Sequence, residues 1–285
     1  MKNQSLLFKV MRYYGVEFPN HPGKARLHKY LREKFNLNDI DQEFIVSRGG
    51  LRWALNPADG MQRSFFWLGF LDYWDVYHVT RILKTDSVIF DVGANFGYYS
   101  IVLATHLNRR CRAYSFEPHP ETYSRLAKNI ILNELTEVVT PCNIGFSDVS
   151  GTASMVESDE HSGVARVSHE LASGPDIRLS TIDEFCAENK IEKIDFMKID
   201  VEGYEEKALL GGSEIIRKTR PLILLELCPE NLRRIGSKPE FVFDLLHDLG
   251  YEDFLVASRQ KMAPLTSFHD FKYVNVFCCP NVKCF

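Results

Sequence analysis

The chain has 285 residues, a formal net charge of −4 and 45% hydrophobic side chains, which suits one large domain or a domain with an appendage. It lacks the basic footprint of a nucleic-acid-binding protein, and no apolar run approaches the roughly 20 residues that span a bilayer. The N-terminus has no signal-peptide pattern and the seven cysteines show no metal-ligand spacing, so we expect a cytoplasmic protein with reduced thiols and no integral membrane segment.

Residues 1–84 differ in pattern from the rest of the chain and are predicted to form an N-terminal helical extension. Within it, residues 28–35 show a basic amphipathic pattern that is typical of a solvated surface helix. Residues 49–58 predict a strand and a turn. The aromatic segment Ser64–Trp74 favours a helix packed in the core, with the wall of a substrate pocket as the alternative.

From residue 85 onward, apolar runs of strand length alternate with amphipathic segments of helix length. Strands are predicted at Val88–Val92, Ala113–Glu117, Val138–Asn143, Phe196–Asp200 and Leu222–Leu227. Helices are predicted at Tyr98–His106, Glu121–Leu132, Tyr204–Lys218 and Lys238–Leu249. This alternation indicates an α/β domain over residues 85–285, with a mostly parallel, Rossmann-like sheet and helices on both faces. The last apolar runs, Tyr251–Ala257 and Tyr273–Cys278, suit a final antiparallel pair.

A glycine turn follows the first of these strands. The strand ends in Asp91, the turn contains Gly93, Asn95 and Gly97, and a helical pattern begins at Tyr98. Glycine permits a positive φ and a close approach of a ligand to the backbone, and a helix start offers unpaired N–H groups. The turn therefore favours a nucleotide-like cofactor, although many α/β proteins have a single glycine turn for steric reasons.

The second strand ends in an acid, Glu117, followed by Pro118. In doubly wound sheets an acid at this place holds the ribose hydroxyls of a nucleoside, because a carboxylate accepts hydrogen bonds from two vicinal hydroxyls. A solvated carboxylate at the end of a strand is the alternative. The glycine turn one crossover earlier favours the ribose role.

The glycine spacing in this turn distinguishes between two cofactors, a dinucleotide and S-adenosylmethionine. Gly93 and Gly97 lack the intervening glycine that lets a pyrophosphate approach in the dinucleotide fingerprint, and Asp91 would repel a pyrophosphate. S-adenosylmethionine carries a sulfonium and an ammonium group and has no phosphate. The charge at the turn therefore favours S-adenosylmethionine over NAD.

Residues 151–178 form an insertion rich in Ser, Glu, His and Gly. Its composition predicts a hairpin and a loop near the cofactor edge, where loops often cover a substrate. His161 and His169 lie in this insertion and are weak candidates for a catalytic base, because a lone histidine in a loop is more often solvated.

Three acids are predicted to gather at the carboxyl edge of the sheet, because Asp200 and Glu226 end neighbouring strands and Glu202 follows closely. They suit general base catalysis or a Mg²⁺ site, and capping of the helix near Tyr204 is the structural alternative. No histidine joins them, and Lys198 lies on the same side of its strand as Asp200, as an internal counter-ion would. Mg²⁺ is therefore possible but not favoured, and we predict no metal ligand.

Several of these segments, in the same order, resemble the FkbM-type S-adenosylmethionine-dependent methyltransferases. They are Asp91–Ser100, Phe116–Pro120, the helix with Asn129 and Asn133, Leu179–Phe185, Ile194–Glu205, Pro221–Glu226 and Val274–Phe277. The resemblance covers about Leu83 to Cys278. It implies a class I methyltransferase sheet with a final antiparallel strand. The N-terminal extension, residues 1–84, is predicted separately to lie on the acceptor side or in a homo-oligomer contact.

The resemblance also implies an activity, the transfer of a methyl group to a hydroxyl of a sugar, glycan or glycosylated small molecule. A non-sugar secondary metabolite such as a macrolide, a Rossmann-type NAD or nucleotide-sugar oxidoreductase, and a non-catalytic binding protein are the alternatives. Asp200, Glu202 and Glu226 are the predicted catalytic residues. The predicted S-adenosylmethionine site comprises Asp91, Gly93, Ala94, Asn95, Gly97, Tyr98, Ser100, Glu117, Pro118, His119, Asn143 and Asp200.

Overall fold

The computed structural model describes residues 6–19, 21–37, 40–69, 71–156, 166–168, 175–267 and 271–280. These residues divide into two compact units, one extending to Tyr73 and one starting at Trp74. The division falls before the boundary predicted at residue 84, and the acceptor-side or oligomerisation role predicted for the extension stays a prediction. No helix among the described residues is long and apolar enough to cross a membrane.

The first unit contains three helices and a hairpin, α1 Leu6–Val16, α2 Lys24–Lys34, β1 Phe44–Arg48, β2 Leu51–Leu55 and α3 Gly60–Leu68. Its core is aromatic. The ring centroid of Phe8 lies 5.7 Å from that of Phe44, 6.0 Å from that of Phe66 and 5.1 Å from that of Trp67. Phe66 and Trp67 are fully buried, so this part of the aromatic segment packs in the core, as the favoured interpretation predicts.

The second unit holds the alternating elements. In chain order they are α4 Tyr73–Ile82, β3 Ser87–Val92, α5 Tyr98–His106, β4 Cys111–Phe116, α6 Pro120–Leu132, β5 Val139–Cys142, β6 Gly145–Phe146, β7 Gly151–Val156, β8 Arg166–Ser168, β9 Asp176–Ser180, α7 Ile182–Glu188, β10 Phe196–Ile199, α8 Glu205–Gly211, α9 Ser213–Thr219, β11 Leu222–Leu227, α10 Pro229–Arg234, α11 Pro239–Asp248, β12 Asp253–Ser258, β13 Lys261–Pro264 and β14 Val274–Cys279.

The main sheet has eight strands in the order β13-β12-β14-β11-β10-β3-β4-β5. The five strands from β11 to β5 are parallel, and β14 runs antiparallel to both β11 and β12. This confirms the predicted Rossmann-like sheet with a final antiparallel strand. The chain order reverses between β3 and β10, and in open α/β sheets ligands bind at such a reversal, outside the carboxyl ends of the strands.

The helix predicted over Tyr204–Lys218 is wrong, because the chain forms two helices there, α8 and α9, which meet at Gly212. Glycine is a poor helix former, and Gly212 lies against Ile182 of α7, which leaves little room for a side chain. Helices α7 and α10 and strand β13 are elements that the sequence analysis did not predict.

The insertion contains the predicted hairpin, since β7 pairs antiparallel with β8. Together with β6 and β9 these strands form a second sheet in the order β6-β9-β7-β8. The candidate bases His161 and His169 lie outside the described residues.

Candidate active site

The turn between β3 and α5 lies at the strand reversal and requires glycine at its first position. Gly93 has a φ of 82°, and an ideal Cβ built there would lie 1.8 Å from the carbonyl oxygen of Asp200. The backbone N–H groups of Gly93 and Ala94 both donate to the carbonyl oxygen of Phe116, at 3.0 and 2.9 Å. The turn is therefore fixed against both neighbouring strands, and the missing side chain of Gly93 makes room for the backbone of Asp200.

Asp91, the acid near the end of β3, is buried and points to the start of α5. Its Oδ2 atom accepts hydrogen bonds from the backbone N–H of Ser100 at 3.0 Å and from Ser100 Oγ at 2.6 Å. Ser115 Oγ in turn donates to Ser100 Oγ. Burial raises the pKa of Asp91, although the bonds from Ser100 and the nearby Lys198 act in the opposite direction. Asp91 thus holds the helix start, and its predicted contact with a cationic cofactor stays a prediction.

Glu117 follows β4 and is held by two backbone groups. Its Oε2 atom accepts a hydrogen bond from the N–H of Asn95 at 3.0 Å, and its Oε1 atom accepts one from the N–H of His119 at 2.9 Å. These two bonds fix the orientation of the carboxylate, and its contact with ribose hydroxyls stays a prediction.

The remaining predicted cofactor residues surround this carboxylate. Asn143 donates from Nδ2 to the carbonyl oxygens of Glu117 and Pro118, at 2.8 and 2.9 Å. His119 caps α6 by accepting from the N–H of Thr122. Gly97 caps α5, which begins at Tyr98. The structure thus brings these residues to one edge of the sheet, while the donors of Asn143 are directed at the backbone, and its contact with an adenine stays a prediction.

Changing Glu117 to Gln is expected to weaken S-adenosylmethionine binding about tenfold, because a charge-assisted hydrogen bond is replaced by a neutral one. Calorimetric titration of both proteins measures the difference. Glu121→Gln is the matched control, since Glu121 is an exposed acid in the first turn of α6. Equal affinity in the wild type and Glu117→Gln would contradict the ribose role.

A buried ion pair lies beside the glycine turn. Lys198 Nζ is 3.4 Å from Asp200 Oδ2, and the two side chains are 2% and 12% exposed. Lys198 also lies 5.6 Å from the ring centroid of Tyr99 and is the register neighbour of Asp91 on β3. The prediction that Lys198 is the counter-ion of Asp200 is confirmed.

The other two predicted acids have different partners. Glu202 lies in the turn after β10, where Asn231 Nδ2 donates to its Oε2 atom at 2.6 Å. Glu226 lies on β11, opposite Asn275 of β14. Within the described part of the chain, no three His, Cys, Asp or Glu side chains are placed to hold a metal ion. The catalytic roles predicted for Asp200, Glu202 and Glu226 stay predictions.

Glu205, which the sequence analysis gave no role, folds the turn that carries Asp200 and Glu202. Glu205 is buried at the start of α8, and its Oε1 atom accepts hydrogen bonds from the N–H groups of Val201 and Gly203, at 3.2 and 3.0 Å. Glu205 thus holds the turn that leads into α8. The sequence signal that could have indicated this role is an acid in the first turn of a predicted helix.

The pKa of Glu205 predicts a pH-dependent stability. Burial raises it to about 7, against the lowering effect of the backbone hydrogen bonds. Because the folded-state pKa is above the unfolded one, the stabilisation is fully present below about pH 4.5 and is lost as the pH rises through about 7. The melting temperature of the wild type should fall over this interval more steeply than that of Glu205→Gln. Glu192→Gln, at an exposed position, should follow the wild type, and parallel curves for all three proteins would contradict the assignment.

A row of residues crosses the carboxyl edge of the sheet from the glycine turn to β14. Ile199 is in register with Val92 and with Leu225, so Asp200 lies between Gly93 and Glu226, and Glu226 is opposite Asn275. Neighbouring strands are about 4.8 Å apart. Three strand spacings therefore separate the cofactor turn from Asn275, a length that suits a small acceptor.

Asn275 presents an unused acceptor at the end of this row. Its Nδ2 atom donates to Asp75 Oδ2 of α4 at 2.8 Å, and its Oδ1 atom is buried with no hydrogen-bond partner in the described structure. A buried carbonyl oxygen without a donor is costly. A bound hydroxyl group would supply that donor. No role could be predicted for Asn275 from the sequence, because its partner Asp75 is 200 positions away.

Comparison with known proteins adds to this geometry. A family model described as "Methyltransferase FkbM domain" matches residues 91–252. The hexuronic acid methyltransferase AglP of Haloferax volcanii is 26% identical over 183 residues, covering 62% of this chain and 72% of that protein. The 2-O-methyltransferase NoeI of Sinorhizobium fredii is 27% identical over 182 residues, covering 59% of this chain and 74% of that protein.

One solved structure similar to this chain is the methyltransferase FkbM from Methylobacillus flagellatus KT. Its TM-score is 0.47 and its sequence identity is 15%. The match covers 75% of this chain and 52% of the solved chain, so this protein spans about half the length of that structure.

Proposed function

Because the chain belongs to the FkbM methyltransferase family, we propose that it transfers the methyl group of S-adenosylmethionine to a hydroxyl oxygen of a sugar, a glycan or a glycosylated small molecule. The protein is an S-adenosylmethionine-dependent methyltransferase, and the acceptor is the proposed part. The observation that carries the proposal is the polar row Asp200, Glu226 and Asn275 beside the glycine turn. Two relatives support it, since one is named for a hexuronic acid and the other for a 2-O position.

The residues at the strand reversal fit the cofactor. Glu117, fixed by two backbone N–H groups, would hold the ribose hydroxyls. The turn at Gly93, where a Cβ has no room, would lie against the methionine part. Bound there, S-adenosylmethionine supplies an electrophilic methyl group.

Asp200 is the proposed general base. It would accept the proton of the acceptor hydroxyl as that oxygen takes the methyl group, the carbon–sulfur bond breaks and S-adenosylhomocysteine leaves. Lys198, 3.4 Å away, balances the charge of Asp200. In-line transfer requires the acceptor oxygen about 3–3.5 Å from the methyl carbon, so much of the rate comes from positioning. Glu226 and Asn275, further along the row, would orient the acceptor.

The chain's own charges support a reaction without a metal. Lys198 already balances Asp200, and Glu202 is hydrogen-bonded to Asn231. We therefore propose that Mg²⁺ is not required. Turnover measured after dialysis against EDTA, with and without added Mg²⁺, tests this, and a loss restored by Mg²⁺ would overturn it.

A screen with radiolabelled S-adenosylmethionine tests the acceptor class. Free sugars, uronic acids, oligosaccharides and macrolides are incubated with the full-length protein, and methylated products are identified by mass spectrometry and NMR. The proposal expects an O-methyl group on a sugar ring. If only non-sugar hydroxyls are methylated, the acceptor is a non-sugar metabolite and the sugar proposal is wrong. The methyltransferase assignment would not change.

Changing Asn275 to Leu is expected to raise the KM of the acceptor about tenfold, since one hydrogen bond to a buried group is lost. The change removes the amide and keeps a similar volume. S-adenosylmethionine affinity is the internal control and should stay constant, because Asn275 lies at the far end of the row from Gly93. An unchanged acceptor KM would contradict the role of Asn275.

A further inference from the structure

The first unit contains a groove that has no part in the proposed methyl transfer. Its cavity measures about 210 Å³, and six of its seven lining residues come from α1 or its C-terminal end. The lining residues are Phe8, Lys9, Arg12, Tyr13, Val16, Glu17 and Arg48. Three of the seven are cationic and one is acidic.

The only acid that lines the groove, Glu17, is exposed and forms one long ion pair with Arg48. The guanidinium of Arg12 lies 4.3 Å from the ring centroid of Phe66, and among the described residues no carboxylate is within ion-pair distance of it. Arg48 donates from Nη1 to the carbonyl oxygen of Ser47 at 2.9 Å, and the same atom is 3.9 Å from the exposed Glu17. An ion pair to an exposed acid contributes little.

Both arginines also have a buried Nε atom without a hydrogen-bond acceptor in the described structure. A buried, unpaired donor is costly, and the cost is larger when the group is charged. Burial, followed by the neighbouring Arg48, lowers the pKa of Arg12 to about 10. Arg12 therefore remains charged at neutral pH and is repelled by the neighbouring Arg48.

The first unit, which contains the groove, also has a net positive charge. Residues 1–73 contain eleven Lys and Arg against seven Asp and Glu, whereas the whole chain has 34 against 38. An anion placed between Arg12 and Arg48 would satisfy both orphaned donors and remove their repulsion. Guanidinium groups bind carboxylates and phosphates with paired hydrogen bonds, and Phe8 and Tyr13 add flat apolar surface.

We propose that this groove binds a small molecule carrying a single carboxylate or phosphate group, held by Arg12 and Arg48 and packed against Phe8 and Tyr13. The volume limits the ligand to about one ring with its anionic substituent. The inference does not rest on the proposed acceptor.

The test uses the full-length protein and non-sugar probes, so that binding at a sugar acceptor site does not interfere. Phenyl phosphate, benzoate and the neutral benzyl alcohol are titrated at constant ionic strength in sodium chloride, by calorimetry and by thermal shift. At least one anion should bind and raise the melting temperature, and the tighter anion identifies the preferred group. Binding of neither anion would overturn the proposal.

Variants locate the binding. Arg12→Gln should weaken anion binding at least about tenfold, while Arg26→Gln, which removes the same charge from an exposed position on α2, should bind as the wild type does. Tyr13→Ala, at a position 64% exposed, is the second variant if Arg12→Gln does not fold, and should also weaken binding. An equal loss of anion affinity in Arg12→Gln and Arg26→Gln would overturn the proposal. If Arg12→Gln does not fold, an unchanged anion affinity in Tyr13→Ala would overturn it. S-adenosylmethionine affinity should not change in any of them.

Discussion

Asp200→Asn is expected to lower turnover by about 10²–10⁴-fold, the range typical of a lost general base, while S-adenosylmethionine still binds. The amide cannot take the acceptor proton, but it keeps the size of the side chain. Single-turnover assays measure the chemical step, and calorimetry measures cofactor affinity. Full activity in Asp200→Asn would remove the catalytic assignment.

The ion pair with Lys198 requires a further control. Asp200→Asn leaves Lys198, which is 2% exposed, without its anion, and breaking a buried pair costs about 3–5 kcal/mol. The double variant Lys198→Met/Asp200→Asn removes both charges and should recover stability. A base role expects the double variant to stay inactive. Recovered turnover would mean that Asp200 serves only to balance Lys198.

Glu202→Gln tests whether Glu202, the second predicted catalytic acid, has the same role as Asp200. Glu202 accepts its hydrogen bond from Asn231 of α10, and a Gln side chain retains an oxygen that can accept it. If Glu202 mainly fixes the turn to α10, the variant keeps most of its turnover. A loss as large as that of Asp200→Asn would instead place Glu202 at the reacting atoms.

The strands of the main sheet and the cofactor turn could be predicted because their signals are local. Strand β11 was predicted with the bounds Leu222–Leu227 that the structure has, since it is a short, mostly apolar run between two prolines, Pro221 and Pro229. Helix α5 was likewise predicted at Tyr98–His106, after a glycine turn. Glu117 was placed by its position at a strand end, which the topology of this fold class links to a ligand.

The partners of the acidic side chains could not be predicted, because they depend on contacts between segments distant in sequence. Asp75 and Asn275 are 200 positions apart and meet only because β14 inserts between β11 and β12. Asn231 lies on α10, a helix that the sequence analysis did not predict. The strand order predicted that Asp200 and Glu226 lie at one edge of the sheet. It did not predict that Glu205 accepts hydrogen bonds from the backbone N–H groups of the turn between β10 and α8.

Gly93→Ala is expected to abolish S-adenosylmethionine binding and to lower the melting temperature strongly. The backbone at this position has a φ of 82°, and the added Cβ would lie 1.8 Å from the carbonyl oxygen of Asp200. A left-handed conformation costs a non-glycine residue about 1–2 kcal/mol, and overpacking adds about 1–3 kcal/mol. The contact is with backbone atoms, so no side-chain rotation relieves it.

Gly151→Ala is the matched control, because the same Cβ at the start of β7 meets no atom within 4 Å. Thermal unfolding and calorimetric titration of the two variants separate a general effect of losing a glycine from the specific one. To relieve the clash in Gly93→Ala, the backbone of the 93–95 turn or of Asp200 must move, and either shift displaces the Asn95 N–H that holds Glu117 or the proposed base. Cofactor affinity and turnover should therefore fall together. A variant that bound S-adenosylmethionine as the wild type does would show that the cofactor does not lie against this turn.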